Sequence, residues 1–117
     1  MKNFKNLNVW QKSIHLVKEI YKSTSNFPVS EVYGLTSQIK RSSVSIPSNI
    51  AEGAGRRKKE MPHFLSIAIG SCFELETQLI ISKEIGLIDS TIFETHNTNL
   101  DEIQKMLFGL QKSLNNS

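Results

Sequence analysis

A single cysteine, Cys72, leaves the chain no internal disulfide to form. Residues 1–25 carry scattered lysines but no uninterrupted apolar stretch, so no secretion signal is expected there. Together these absences point to a reducing, cytoplasmic setting. No run of apolar residues approaches the length that spans a bilayer, so no membrane partner is expected. No stretch alternates apolar and polar residues with a period of two, which argues against strands. At 117 residues the chain suits one domain, 1–117, with one core.

Charge is present but uneven. The first sixty residues hold 11 basic and 4 acidic side chains, while residues 61–117 hold 3 basic and 7 acidic. Such asymmetry can steer a polyanion to one face. It can equally let the two halves of one bundle attract each other.

Four stretches carry apolar residues at helical spacing. Leu7, Trp10, Ile14, Val17 and Tyr21, with Thr24 next, step by three and four; Asn6 is the expected N-cap. Phe27-Pro28 interrupts them, and Ser30 fits a second N-cap. The next stretch, about 31–52, puts Val32, Leu35, Ile39, Ser43, Ile46 and Ile50 on one face. Pro47 inside it predicts a kink, and Gly53 and Gly55 are expected to end it with a positive φ. Ser42, Ser43, Ser45, Ser48 and Ala51 are small and admit close approach, either within the bundle or between protomers. The third stretch, about 60–86, sets Leu65, Ala68, Cys72, Leu75 and Leu79 on one seam. Pro62 falls in its first turn, where a missing N–H costs nothing. Phe64, Ile67, Phe73, Ile80 and Ile81 widen the apolar surface beyond that seam, which argues for self-association. The fourth opens on Asp89 as N-cap and carries Ile92, Phe93, His96, Leu100, Ile103, Leu107, Leu110 and Leu114, before a frayed tail of Asn115, Asn116 and Ser117. Four such helices with short connections predict an all-α, antiparallel up-down-up-down four-helix bundle.

The string Tyr33-Gly34-Leu35-Thr36-Ser37-Gln38-Ile39-Lys40-Arg41-Ser42-Ser43-Val44-Ser45-Ile46-Pro47-Ser48-Asn49-Ile50-Ala51-Glu52-Gly53 is specific. Val9-Trp10-Gln11, Phe27-Pro28, Phe64-Leu65, Gly70-Ser71 and Glu74-Leu75-Glu76 accompany it. With these the chain resembles the four helix bundle protein family, also called the 23S ribosomal RNA intervening-sequence protein family, over nearly its whole length. The accessory variability proteins of diversity-generating retroelements are related. The resemblance implies a four-helix protomer in a ring-like homopentamer without enzymatic activity. In some relatives it implies nucleic-acid binding or partnership with a reverse transcriptase. Pro62 departs from the pattern, at a position where an ordinary helix former is expected.

Arg56-Arg57-Lys58-Lys59 is the densest charge run, with Lys40 and Arg41 about four turns earlier. Adjacent cations on a loop can contact phosphates by displacing counterions. They can also be a solvated loop, or compensate the carbonyl end of the second helix. Repetition around a ring would add avidity. No aromatic RNA-recognition signature is present, and Tyr33 and Phe64 read as structural, so contacts should be to the backbone rather than to bases. Glu74 or Glu76 can pair with Lys40 or Arg41, and Glu52 with Arg56 or Arg57.

Enzymatic constellations are weak. Glu60-Met61-Pro62-His63 has one di-iron spacing but no counterpart, since Glu94 and His96 lie two apart, so no metal is expected. Cys72 occupies a core slot and is expected to be inert. His15, His63 and His96 imply no orienting carboxylate. Gly53-Ala54-Gly55 follows a helix rather than a strand, so it is no phosphate loop. No cofactor is expected. The reading is a non-catalytic, self-assembling bundle whose basic surface (Lys40, Arg41, Arg56, Arg57, Lys58 and Lys59) contacts RNA or DNA. The alternative is a protein–protein scaffold or accessory subunit, for example of a reverse transcriptase.

Overall fold

The computed structural model describes residues 3–116, and among these are four α-helices and no strand. They are α1 (Asn8–Thr24), α2 (Leu35–Ala54), α3 (Met61–Glu84) and α4 (Ser90–Asn115). Short 3-10 helices precede α1 (Phe4–Asn6) and α2 (Val29–Glu31). Helix α1 packs on α2 and α4, and α3 packs on the same two, so the helices form a closed four-sided arrangement. One apolar cluster unites them, with Leu16, Ile20, Ile39, Ile46, Ile50, Leu65, Leu75, Leu100, Ile103 and Leu107 essentially solvent-free.

Local chemistry explains the ends. The Asp89 carboxylate accepts from the Ile92 N–H at 2.8 Å, the expected cap of α4. Helix α3 ends in a Schellman turn: Leu87 N–H donates to the Ser82 carbonyl, Gly86 N–H to that of Lys83, and Gly86 has φ +83°. Pro62 sits in the first turn of α3, where its missing donor is harmless. Helix α2 runs through the buried Pro47 without a break.

Several sequence expectations are corrected. Asn6 does not cap α1; it closes the first 3-10 turn, whose cap is Asn3, and Leu7 precedes α1. The buried stripe of α1 is Val9, Ser13, Leu16, Ile20 and Thr24, one position round from the anticipated seam. Trp10, Ile14 and Val17 are half-buried against α2, and Tyr21 is exposed. Ser30 lies inside a 3-10 turn, and Gly34 occupies the N-cap of α2. Val32 and Tyr33 are exposed, Tyr33 at 97%, so Tyr33 supports no packing.

Gly53 is helical and Gly55 has φ −83°, so neither supplies a positive φ. Gly53 is needed for another reason: a Cβ there would lie 2.9 Å from the Phe64 Cβ. Its missing side chain lets the start of α3 approach α2. The small residues of α2 partly serve the same seam, with Ser42 Oγ donating to Gln78 Oε1 at 2.7 Å and Ser45 Oγ 2.8 Å from Ser71 Oγ.

The core seam of α3 falls where expected, with Leu65, Ala68, Cys72, Leu75 and Leu79 buried. Of its second apolar set Phe64 is half-buried, while Ile67, Phe73, Ile80 and Ile81 are each 40–49% exposed. Counting both faces, α3 is long and apolar enough by composition to cross a membrane, although no unbroken apolar run reaches that length. Its buried side packs on α2 and α4. In α4, Phe93, His96, Leu100, Ile103 and Leu107 are buried, Leu110 and Leu114 are half-buried, and Ile92 is exposed. Asn115 is still helical, and Ser117 lies outside the described residues.

Candidate nucleic-acid interface

The six anticipated cations do not form one surface. Lys40 and Arg41 lie in the first turns of α2, and fifteen residues of helical rise separate Arg41 from Arg56, about 22 Å. The Lys40 ammonium sits 4.9 Å from the centre of the Tyr21 ring, which ties it to α1. Arg41 faces the other way, into a polar groove between α2 and α3 with Gln38, Ser45, Glu74 and Gln78. Glu74 and Arg41 share that groove without forming an ion pair among the described residues. Glu76 instead turns to α4, accepting from Gln104 Nε2 at 3.4 Å.

The loop cations stay together but differ in kind. Arg56 Nη2 donates to Glu52 Oε1 at 2.6 Å, and its guanidinium lies 5.2 Å from the Phe64 ring centre. The hydrogen bond to Glu52, aided by the carboxylate charge, raises the Arg56 pKa above its ordinary value. Arg57 Nε donates to Glu60 Oε1 at 2.9 Å, and that bond lowers the Glu60 carboxyl below its usual range. Two carboxylates thus offset two of the four cations. Lys58 and Lys59 have no acidic partner among the described residues and line a shallow pocket with Pro62, Leu114 and Asn115.

That pocket lies where the loop meets the carbonyl end of α4 and the N–H end of α3. Cations favour the first and anions the second. Two lysines missed from the sequence belong to the same end of the bundle. Lys5 follows Phe4, which lines a groove with Ala51 near the end of α2. Lys112 lies in the last turn of α4, beside Leu114 and Asn115. Neither adjoins the run of four in the sequence; only the packing of the helices brings them near it.

Catalytic chemistry finds no comparable concentration. Burial pushes the Cys72 thiol up to about 12, with Glu76 adding to the shift, so the reactive thiolate is suppressed. Glu60 is engaged by Arg57, and the exposed His63 stacks edge-on against Phe64 at 5.3 Å. Among the described residues no group of three or more His, Cys, Asp or Glu side chains is placed to hold a metal ion. His96 is buried, with Nε2 2.7 Å from Ser23 Oγ and Nδ1 without a hydrogen-bond partner among the described residues. Burial lowers its pKa, against a smaller opposing pull from Glu19.

Residues 5–109 match the 23S rRNA-intervening sequence protein family. The chain belongs to that family. A solved relative is a protein of unknown function from the S23 ribosomal protein family of Bacteroides thetaiotaomicron. It is 28% identical, superposes with a TM-score of 0.80, and the match covers 89% of this chain and 98% of that one. No protein of curated function matches. Within the family match fall Lys5 and all six anticipated cations, while Lys112 lies just beyond it.

Proposed function

We propose that the protein is a non-catalytic, self-assembling four-helix bundle whose basic end contacts the phosphate backbone of RNA or DNA. The concentration of Lys5, Arg56, Arg57, Lys58, Lys59 and Lys112 at one end carries this reading, because Lys58 and Lys59 remain free to displace counterions. The start of α3 beside them adds partial positive charge. Lys40 and Arg41, about 22 Å away, would form at most a separate contact. The family's association with 23S rRNA, by name, is consistent with a nucleic-acid setting. A cytoplasmic location is part of the same reading.

The helix pairings support an up-down-up-down order. Ser42 meets Gln78 while Ser45 meets Ser71, Glu76 meets Gln104 while Ser66 meets Gln111, and Lys12 meets Glu102 while Ser23 meets His96. In each pair numbering rises along one helix as it falls along the other. The exposed apolar face of α3 supports self-assembly, and a ring of five copies is the form proposed.

Fluorescence anisotropy with labelled RNA and DNA oligomers tests the interface. Binding should weaken steeply between low and physiological salt. Lys58→Ala/Lys59→Ala should lose more affinity than Arg56→Ala/Arg57→Ala, whose guanidinium groups are already engaged. Undiminished binding by the quadruple alanine variant would reject this site. The scaffold reading is favoured by one observation, the bare apolar connection of Val29 (87% exposed), Val32 and Tyr33. A parent protein that ignores every nucleic acid even at low salt would shift the assignment there.

A further inference from the structure

The groove between α2 and α3 is polar from end to end. Gln38, Arg41, Ser42, Ser45, Glu74 and Gln78 line a volume of about 410 Å³, with no apolar side chain among them. Two bonds between the helices close its floor, Ser42 to Gln78 and Ser45 to Ser71. Asn49 Nδ2 donates to Ser45 Oγ at 3.0 Å, so the floor hydroxyls are committed.

Three groups above that floor are not. Arg41 and Glu74 are exposed, and neither has a charged partner among the described residues. Gln78 is buried to 8% exposure, yet its amide is half used: Oε1 accepts from Ser42 Oγ, while Nε2 donates to no described group. A buried amide donor ordinarily has a partner, and here it faces the groove. Elsewhere in the bundle opposite charges close on each other, as Lys12 and Glu102 do across α1 and α4 at 2.8 Å. Register keeps Arg41 and Glu74 apart. Arg41 adjoins Ser42 and so stands level with Gln78, whereas Glu74 lies four residues away along α3, about 6 Å. The groove therefore has a donor end, Arg41 with Gln78 Nε2, and an acceptor end, Glu74.

We propose that this groove binds a free α-amino acid as its zwitterion, with Arg41 and the Gln78 amide holding the carboxylate and Glu74 the ammonium. A simple anion would meet the like charge of Glu74, and a simple cation that of Arg41. An apolar molecule would bury nothing against this lining. A zwitterion satisfies both ends through charge-assisted hydrogen bonds, and a guanidinium presents paired N–H groups to a carboxylate. The all-polar lining favours small or polar side chains on the ligand. The site is separate from the basic end, about 22 Å along α2, and requires neither nucleic acid nor assembly.

Melting curves of the full chain with glycine, serine and glutamine test the site. The parent melting temperature should rise saturably with each. N-acetylserine keeps the carboxylate and lacks the ammonium, and serinamide is the reverse, so neither should raise it. Arg41→Gln and Glu74→Gln should each weaken binding about tenfold or more. Both positions are exposed, so circular dichroism should match the parent. Lys40→Gln, one residue away but turned to Tyr21, should bind as the parent does. No saturable rise with any of the three amino acids overturns the proposal. An equal rise with N-acetylserine or serinamide, or undiminished binding by either groove variant, overturns it as well.

Discussion

Helices α3 and α4 are similar in length, 24 and 26 residues, yet they divide their surfaces differently. Each buries a clean stripe at steps of three and four. Opposite its stripe, α3 exposes Ile67, Phe73, Ile80 and Ile81, whereas α4 exposes chiefly charged residues, Glu94, Asp101, Glu102, Lys105 and Lys112, with Ile92 and Phe108 as exposed apolar exceptions. Folding accounts for both inner faces and for the outer face of α4. It gives no full reason for the outer face of α3, whose isoleucines remain 40–44% exposed outside the core. The difference therefore separates what the fold requires from what lies beyond it.

The comparison first requires that the inner stripes be equivalent. Leu75 in α3 and Leu100 in α4 are both fully buried. Leu75→Ala and Leu100→Ala should each cost about 2–5 kcal/mol in urea unfolding. A cost well under 1 kcal/mol at either site would show that its stripe does not hold the core.

The contact between α2 and α3 sharpens the picture one step down in size. Gly53→Ala inserts a Cβ 2.9 Å from that of Phe64 and 3.3 Å from the Met61 Cγ. The start of α3 must then shift, at about 1–3 kcal/mol by overpacking. Gly55→Ala provides the control, since a Cβ there would meet only the Ala51 and Glu52 carbonyl oxygens, at an ordinary 3.6 Å. Equal effects at the two glycines would remove the close-approach argument.

Helix α4 also buries a titratable group. His96 touches Ser23 of α1, feels Glu19 of the same helix, and has its pKa lowered chiefly by burial. A depressed folded-state value means that the unfolded chain binds more protons as pH falls through about 6.5, so acidification destabilises the fold. The urea midpoint of the parent should drop between about pH 7 and pH 5, and His96→Gln should drop less. An equal drop in both would assign the pH dependence to the carboxylates.

These elements were unequally legible from the sequence. The seams of α3 and α4 could be read because in each a single set steps by three and four without a break, which the second apolar set of α3 does not. In α1 two adjacent stripes are apolar, and Ser13 occupies a core slot with its hydroxyl donating to the Trp10 carbonyl at 2.7 Å. Hydropathy alone then selected Trp10, Ile14 and Val17, which face α2, over Val9, Leu16 and Ile20. The role of Gly53 was hidden because close approach depends on where Phe64 arrives. The cationic site was half legible: the run of four showed in the sequence, but its offset by Glu52 and Glu60 and its reinforcement by Lys5 and Lys112 depend on how the helices fold together.

The smallest stability effects decide the outer faces. Phe73→Ser in α3 and Asp101→Ser in α4 both alter exposed positions, so dilute protein should change by no more than about 0.5 kcal/mol in either case. For Asp101 the loss is its exposed ion pair with Lys105, 3.2 Å apart within one helix. Concentration should then split the two. If α3 uses its outer face to join another copy, association stabilises the folded parent by mass action, and raising the protein concentration raises its melting temperature. Phe73→Ser should lose that dependence and fall progressively behind the parent, while Asp101→Ser should track it at a constant small offset. Parallel curves for all three proteins would mean that the apolar outer face of α3 does not mediate assembly.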